Sequence, residues 1–274
     1  MVMVRKFDGS LEPFDRRKVI NTCLRMYATK AQAIEVANKI EKDIYDGITT
    51  KKILGLIFKY LKELKPEVKH RIGLREAISM LRPKPDFEEF VRKILAAEGY
   101  QVKGNQIVRG KCVEHEIDGI VSMEGDDFML EIKHHFQHHT YTGVDVLLEV
   151  KSRLDDITEG RKRGLNDLKL KGAIVVCNTK FSEHAKKYAR CVGINILGWK
   201  NPRNKGLEFL IEKHKMFPIT LLKMNRKIVE KLCRCGLITL QELLRASPEE
   251  IERRCKIDKR RIKSLRERAL KIMP

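Results

Sequence analysis

The segment that most constrains the fold is residues 118–133, in which two apolar runs flank a Glu-Gly pair. A polar Gly-containing dipeptide between such runs predicts a two-residue turn, so the segment is expected to form a β-hairpin. With Glu124-Gly125 at the turn, Asp118 stands directly opposite Glu131. Lys133 then follows on the same face of the second strand, because side chains alternate between faces.

The two faces of this hairpin differ in character. One is predicted to pack as core and is almost wholly apolar, with Ile117, Gly119, Val121, Met123, Phe128, Leu130 and Ile132. The other carries two carboxylates beside an ammonium group. Carboxylate oxygens bind hard divalent cations, and a neighbouring lysine can position or polarise a water molecule. The hairpin therefore predicts a candidate metal-dependent hydrolytic site.

A second motif lies upstream of the hairpin. Residues 87–102 read Phe-Glu-Glu-Phe-Val-Arg-Lys-Ile-Leu-Ala-Ala-Glu-Gly-Tyr-Gln-Val. This run is similar to the helix that opens Mrr-like restriction endonuclease domains, and the hairpin supplies that family's Asp, then Glu-x-Lys, without a gap. The chain therefore resembles the PD-(D/E)xK nuclease superfamily, and most closely its Mrr-like branch.

The resemblance implies a role for each polar residue of the site. Asp118 and Glu131, with the carbonyl of Ile132, would hold Mg²⁺ or Mn²⁺. Lys133 would orient the attacking water or stabilise the transition state. Glu88 matches the helical Glu that reaches the metal site in that family, where it would complete the site or hold a second ion. A solvated Glu-Lys face, or a degenerate and inactive site, is the alternative interpretation of the same residues.

The formal net charge of +20 is distributed unevenly along the chain. Residues 1–85 carry 19 basic and 10 acidic side chains, residues 86–200 carry 18 of each, and residues 201–274 carry 20 and 9. Attraction to phosphate is therefore expected from the flanks rather than from the central segment. Solubility or thermal adaptation would also produce a basic composition.

The first residues predict two short strands around the tight-turn dipeptide Asp8-Gly9, followed by a helix capped by Asp15. The string Asp-Gly-Ser-Leu-Glu-Pro-Phe-Asp at 8–15 is similar to the ATP-cone, the adenine-nucleotide-binding regulatory domain of ribonucleotide reductases and a related repressor. The similarity continues through Ile-Thr-Thr-Lys-Lys-Ile at 48–53 and a closing helix around residues 70–75. It implies ATP or dATP as an effector.

By this resemblance, five residues would contact the nucleotide, with the cations on its phosphates: Arg5, Lys6, Glu12, Phe14 and Lys18. The chain departs from the family at Phe7, where a basic residue usually stands in Lys-Arg-Asp-Gly. A basic, turn-rich hairpin that packs on helices or contacts DNA is the alternative interpretation.

The C-terminal segment, from about residue 206, is predicted to contain helices only. Thr239 with Glu242 forms a capping box, and Ser247-Pro248 begins a further helix. The pattern is similar to helix-hairpin-helix DNA-binding modules, in which short turns present backbone N–H groups to phosphates. The main phosphate contacts are expected from cations near the start of the last helix: Lys256, Lys259, Arg260, Arg261 and Lys263. A basic protein-interaction bundle is the alternative.

A connector with two prolines, Pro83 and Pro85, cannot continue a helix, and Asp86 is expected to cap the helix that follows. We therefore expect a multidomain α/β chain with three parts. A mostly helical ATP-cone would occupy residues 1–85, a restriction endonuclease-like α/β core residues 86–200, and an all-α DNA-binding module residues 201–274.

Seven cysteines without a CxxC pair indicate reduced thiols and a cytoplasmic protein. No apolar run reaches the roughly 18 residues that span a bilayer, so no membrane partner is expected. Together these features predict a Mg²⁺-dependent DNA endonuclease regulated by adenine nucleotide, with DNA and the nucleotide as partners; they also allow a homodimer. The alternatives are a non-catalytic, nucleotide-responsive DNA-binding regulator and a structure-selective junction resolvase.

Overall fold

The computed structural model of the protein describes residues 2–26, 28–66 and 73–273. The chain divides into two compact units, one formed by residues 1–72 with 247–274 and the other by residues 73–246. The predicted closing helix of the ATP-cone, around residues 70–75, lies partly outside the described residues. The division into three domains at 85 and 200 stays a prediction.

The N-terminal part of the first unit consists of β1 (Met3–Arg5), β2 (Leu11–Pro13), α1 (Arg16–Arg25), α2 (Lys30–Asp43), β3 (Ile48–Thr49) and α3 (Thr50–Leu64). β1 is central and pairs antiparallel with β2 and parallel with β3. Asp15 accepts a hydrogen bond from the Arg17 N–H, as predicted for the cap of α1. Apolar side chains from the three helices, β1 and β3 form one buried core.

The second unit is built on a five-stranded sheet. Its elements are α4 (Leu74–Ser79), α5 (Glu88–Ala97), β4 (Gln101–Arg109), β5 (Glu114–Met123), β6 (Asp126–Lys133), β7 (Tyr141–Thr142), α6 (Val144–Lys162), β8 (Leu170–Cys177), β9 (Lys180–Phe181), α7 (Glu183–Val192) and β10 (Asn195–Leu197). The strand order is β10-β8-β6-β5-β4. β4, β5 and β6 are antiparallel, whereas β6, β8 and β10 are parallel, which makes the sheet mixed.

The predicted hairpin and its register are confirmed. Glu124 and Gly125 form the turn with φ of 53° and 85°, the positive values that a type I′ turn requires. The ladder pairs Gly119 with Leu130, which continues the predicted register to Asp118 opposite Glu131.

Two features of the sheet differ from the sequence prediction. The first is β4, which pairs along β5 as an edge strand and was not foreseen. Its side chains are mostly solvent-exposed and polar, so it lacks an alternating apolar signal. The second is the carboxylate face, which is not purely polar. Ile120 and Met129 lie on it and join the core with Leu147 and Val150 of α6.

The predicted capping role of Asp86 is wrong. The side chain of Asp86 is buried, and both of its oxygens accept hydrogen bonds of 2.7 Å from the Arg82 guanidinium. The helix α5 starts from Phe87 without a side-chain cap. Lys84, between the two connector prolines, has an extended backbone with φ of −120° and ψ of 136°.

The C-terminal segment is helical, as predicted. Three helices belong to the second unit, namely α8 (Leu207–Lys213), α9 (Arg226–Arg234) and α10 (Leu240–Arg245). Two others, α11 (Pro248–Cys255) and α12 (Lys259–Ile272), belong to the first unit. Thr239 and Glu242 form the predicted capping box, and Ser247 caps α11.

Ion pairs fasten helices α8 and α10 to α5 within the second unit. Glu98 at the end of α5 lies 2.8 Å from Lys213 and 2.6 Å from His214, and Lys93 pairs with Glu242. Among the residues that the structure describes, none of the helices combines the length and the apolar character needed to cross a membrane.

Candidate active site

Three buried carboxylates meet beside the two interior strands β5 and β6 of the five-stranded sheet. Asp118 lies on β5, Glu131 lies on β6, and Glu88 is the first residue of α5; their exposed fractions are 7%, 4% and 2%. Arg92 of α5 holds the helix against the strand, because its guanidinium donates to the Asp118 carbonyl at 3.2 Å and lies 3.5 Å from Glu88. The predicted catalytic residues are thus brought together.

Asp118 is oriented by the neighbouring strand. Its Oδ2 accepts a hydrogen bond of 2.7 Å from the Ile132 N–H, so residue 132 contributes its backbone to the site as well. Its other oxygen, Oδ1, lies 3.3 Å from the ammonium of Lys84. One oxygen of Asp118 is therefore fixed by the backbone of β6, and the other faces a largely exposed side chain.

Glu131 lies between two cations. Its Oε1 is 2.7 Å from the Lys133 ammonium, and its Oε2 is 3.2 Å from the guanidinium of Arg153. Arg153 belongs to α6 and also pairs with Glu149 one turn earlier. The sequence prediction missed Arg153 as a member of the site, because helical spacing alone does not indicate which strand a helix covers.

Burial and mutual repulsion shift the protonation of two carboxyls. Burial is the main cause that raises the pKa of Glu131; the Asp118 carboxylate raises it further, and the Lys133 and Arg153 cations offset only part of this. Burial, then repulsion from Asp118, also raises the pKa of Glu88. Burial, rather than a lack of nearby cations, is therefore the main cause of the raised pKa of both groups.

The donor atoms of this site fit a hard divalent cation. Carboxylate and carbonyl oxygens are the ligands that Mg²⁺ and Mn²⁺ prefer. The buried Oε1 of Glu88 accepts no hydrogen bond, although the Lys84 ammonium is 3.3 Å away. Within the described ranges, no three His, Cys, Asp or Glu side chains are grouped to hold a metal as they stand. Amino and guanidinium groups contact the same oxygens, so a metal would have to displace at least one of them.

The raised pKa of Glu88 predicts that Glu88→Gln stabilises the metal-free protein at neutral pH. Because folding raises the pKa of Glu88, its carboxyl contributes stability below the unfolded-state pKa of about 4.3, where it is protonated. This stability is lost as the pH rises through the folded-state pKa. At neutral pH the charge is therefore destabilising, and its removal should raise the melting temperature, by about 2–4 °C for each kcal/mol of stability gained. Glu89→Gln, on the exposed side of the same turn, is the control. A Glu88→Gln protein that melts lower at pH 7 would contradict this account.

The site opens to solvent through a shallow recess of about 330 Å³. Lys84, Lys133 and Arg153 line it together with Asp118 and Glu131. A larger recess of about 720 Å³ lies elsewhere on this unit, between α7, β10 and α8, and contains none of the three clustered carboxylates. The smaller recess is therefore the one that contains carboxylates of the cluster. Its cations could pair with the negatively charged oxygens of a phosphodiester.

Part of the predicted nucleotide-binding set also comes together. The Lys6 and Lys18 ammonium groups lie 2.6 Å and 2.8 Å from the two oxygens of Glu12. These contacts lower the pKa of Glu12. Phe14 packs against the core of the N-terminal part, whereas Phe7 is largely exposed. Arg5, at the end of β1, is also exposed.

The predicted DNA-binding cations lie at the start of α12. Asp258 caps this helix through the N–H groups of Arg260 and Arg261. Both arginines, Lys256 and Lys263 are solvent-exposed. Lys259 pairs with Glu249 of α11.

Comparisons with known proteins agree with this architecture. Residues 2–77 match the model of the ATP cone domain, and residues 82–199 match the Mrr-type model described as restriction endonuclease. An uncharacterized protein of Archaeoglobus fulgidus is 36% identical over 159 residues, which cover 58% of this chain and 86% of that protein. A second uncharacterized protein of that organism is 48% identical over 42 residues, or 15% of this chain and 89% of the relative.

A crystal structure of a protein of unknown function is also similar. It is 32% identical, has a TM-score of 0.59, and is matched over 68% of this chain and 95% of its own. These findings support a nuclease domain joined to a nucleotide-binding one. The chain belongs to the family of proteins that join an ATP cone domain to an Mrr-type restriction endonuclease domain.

Proposed function

We propose that the protein is a Mg²⁺- or Mn²⁺-dependent DNA endonuclease whose activity responds to adenine nucleotide. The observation that carries the proposal is the cluster of three buried carboxylates, Asp118, Glu131 and Glu88, beside Lys133. Buried charges in proteins are paired with other charges or coordinate metals, and a group of carboxylate oxygens is suited to a hard divalent cation. The presence of this cluster on a sheet of the restriction endonuclease family supports a catalytic site rather than a solvated surface pair.

Each residue of the cluster has a distinct role in this proposal. Asp118, Glu131 and the Ile132 carbonyl would hold the metal, and Glu88 would complete the site or hold a second ion. When bound, the metal would supply Lewis-acid stabilisation of the scissile phosphate. Lys133 lies 2.7 Å from Glu131 and lines the recess. From there it would orient the attacking water or stabilise the developing negative charge.

The DNA affinity of the proposed enzyme would come mainly from outside the catalytic segment. Residues 86–200 are electrically neutral, with 18 basic and 18 acidic side chains. The cations around the start of α12 are exposed, apart from Lys259, and are our proposed phosphate contacts. This division would allow the recess to select a metal and a phosphodiester while other surfaces supply the attraction to DNA.

A nicking assay on supercoiled plasmid tests the proposed function. We expect relaxation with Mg²⁺ or Mn²⁺, none with EDTA, and a change in rate when ATP or dATP is added. Tight DNA binding without cleavage under any of these conditions would favour the non-catalytic regulator instead.

The nucleotide response should depend on the Lys6–Glu12–Lys18 cluster. ATP phosphates would compete with Glu12 for these two ammonium groups, so ATP should raise the melting temperature by linkage. Lys6→Ala should weaken this shift, because a single lost phosphate contact costs about 1–3 kcal/mol. Lys42→Ala, an exposed lysine on α2, is the control with the same charge change. Absence of any thermal shift or binding heat with adenine nucleotides would contradict nucleotide regulation.

A further inference from the structure

Lys84 is, like Arg153, a residue of the site that the sequence prediction did not anticipate. It lies in the connector that precedes α5, within the residues matched by the restriction endonuclease model. Its neighbours Pro83 and Pro85 restrict the local backbone, which is extended at Lys84 itself. From this position the side chain reaches into the carboxylate cluster.

The Lys84 ammonium contacts three carboxylates. Its Nζ lies 3.3 Å from Asp118 Oδ1, 3.3 Å from Glu88 Oε1 and 3.5 Å from Glu116 Oε1. An ammonium group has three donors and no acceptor, so it can face several oxygens simultaneously as a point charge. Lys84 is thus the cation that bridges the carboxylate from the sheet to the one from α5.

The oxygens around Lys84 are the ones that a divalent cation would need. A hard cation requires oxygens at about 2.0–2.6 Å, which leaves no room for an ammonium nitrogen among them. Two cations in the same place would also repel each other strongly in a partly buried site. Lys84 and a metal ion therefore compete for the same oxygens of Asp118 and Glu88.

Lys84 differs from the other cations of the site in its freedom to leave. Its side chain is 58% exposed, whereas those of Arg92, Arg153 and Lys133 are 14%, 28% and 29% exposed. Arg92 and Arg153 are also each anchored to a second acidic residue on their own helix. Withdrawal of Lys84 would return its ammonium to water and would cost its contacts with the three carboxylates, which a metal would replace at Asp118 and Glu88. The fold around the carboxylates would remain held by Arg92 and by the Ile132 N–H.

We propose that Lys84 is a built-in competitor of the catalytic metal: its ammonium neutralises Asp118 and Glu88 in the metal-free protein and must leave before the metal binds. The inference rests on the proposed function, because it assumes that these carboxylates are metal ligands. It makes Lys84 a positioning residue that sets metal affinity. The displaced ammonium would remain at the mouth of the recess, where it can form an ion pair with a DNA phosphate.

The competition predicts opposite effects of one substitution. Lys84→Met retains most of the aliphatic length but removes the charge. The metal-free protein should melt at a lower temperature, because the carboxylates then repel each other without compensation. Mn²⁺ affinity should rise about tenfold or more, because a metal no longer has to displace the Lys84 ammonium. A purely structural role of Lys84 predicts that stability and metal affinity both fall.

Calorimetric titration with Mn²⁺ alone, without DNA, tests this inference independently of cleavage. The full-length wild type, Lys84→Met and Lys84→Arg are compared, with Lys103→Met as a charge-matched control on β4. Asp118→Ala defines which binding belongs to the site. We expect tighter Mn²⁺ binding only in Lys84→Met, with Lys84→Arg close to the wild type because it keeps the competing charge.

The outcomes distinguish a failure of the competitor role of Lys84 from a failure of the proposed metal site. Asp118-dependent Mn²⁺ binding that is equal or weaker in Lys84→Met would overturn the competitor role and leave the proposed metal site intact. Lack of Asp118-dependent binding in the wild type and in Lys84→Met would contradict the metal site and the competitor role together. A comparable gain in Lys103→Met would assign the effect to general electrostatics and would also overturn the inference.

Discussion

Glu131→Gln and Lys133→Ala are each expected to reduce the rate of DNA cleavage by at least about 10³-fold, because each removes a group that acts at the transition state. The double variant should be little worse than either single one, since residues that work as a unit lose most of their effect with the first substitution. Neither group packs as core, and Gln retains the shape of Glu131. DNA affinity should therefore change little.

Single-turnover cleavage and DNA binding, measured on the same preparations, check this expectation. Asp126→Asn is the matched control, because Asp126 lies on the same strand as Glu131 but at its other end, where it pairs with Lys171. Strictly multiplicative losses in the double variant would indicate independent roles. Retention of wild-type rates in Lys133→Ala would remove the lysine from the chemistry.

Neutralising the cations at the start of α12 is expected to weaken DNA binding strongly and to flatten its salt dependence. Each lost phosphate contact lowers the slope of log affinity against log salt by about 0.9 on duplex DNA, so five contacts would lower it by up to about 4.5. The substitutions are Lys256→Gln, Lys259→Gln, Arg260→Gln, Arg261→Gln and Lys263→Gln. Lys259 must break its ion pair with Glu249 before it can contact a phosphate, so the decrease in slope should fall somewhat below that limit.

The control for this experiment removes five cations from the nuclease-like unit, on α6, on β8 and in the segment between them: Arg161, Lys162, Arg163, Lys169 and Lys171. These residues lie at the end of β8 opposite to the one that pairs with Lys133. Equal loss of slope in both variants would show that only the net charge matters. An unchanged slope in the α12 variant would identify α12 as a solvated or protein-binding surface.

Substitution is a sharper test here than truncation near residue 201. Residues 207–246 belong to the compact unit of the nuclease-like sheet, and Thr220 donates a hydrogen bond to the Ala77 carbonyl within it. Removal of this segment would also remove buried apolar side chains such as Leu210 and Leu221 from that unit. Loss of DNA binding after truncation would then report unfolding as well as lost phosphate contacts.

The hairpin and its register could be predicted because a two-residue turn leaves a single pairing of the strands. Asp118, Glu131 and Lys133 could therefore be assigned to one face from the amino-acid sequence alone. The edge strand β4 was missed because its exposed, polar side chains do not alternate with apolar ones. Two carboxylates and an ammonium group could be assigned to one face, but that α6 covers part of this face could not, because which helix covers a strand depends on tertiary packing.

Asp86 and Lys84 show why the connector could not be predicted. Asp86 follows a proline and precedes a helix, a local sequence that favours helix capping. Instead, the Arg82 guanidinium donates hydrogen bonds to both of its carboxylate oxygens. Lys84 has no periodic pattern around it, and its role depends on carboxylates 4 to 34 residues away in the chain. Such long-range charge pairing has no local signature in a sequence.

We propose that DNA hydrolysis takes place at the carboxylate cluster, with a metal held by Asp118. The most direct test of this claim is plasmid nicking by wild-type protein and by Asp118→Asn, purified in parallel, each with Mn²⁺ and with EDTA. Asn preserves the size of the side chain and an oxygen that can accept the Ile132 N–H. We expect nicking by the wild type with Mn²⁺ and in none of the other three reactions. Mn²⁺-dependent nicking at the wild-type rate by Asp118→Asn would contradict the claim.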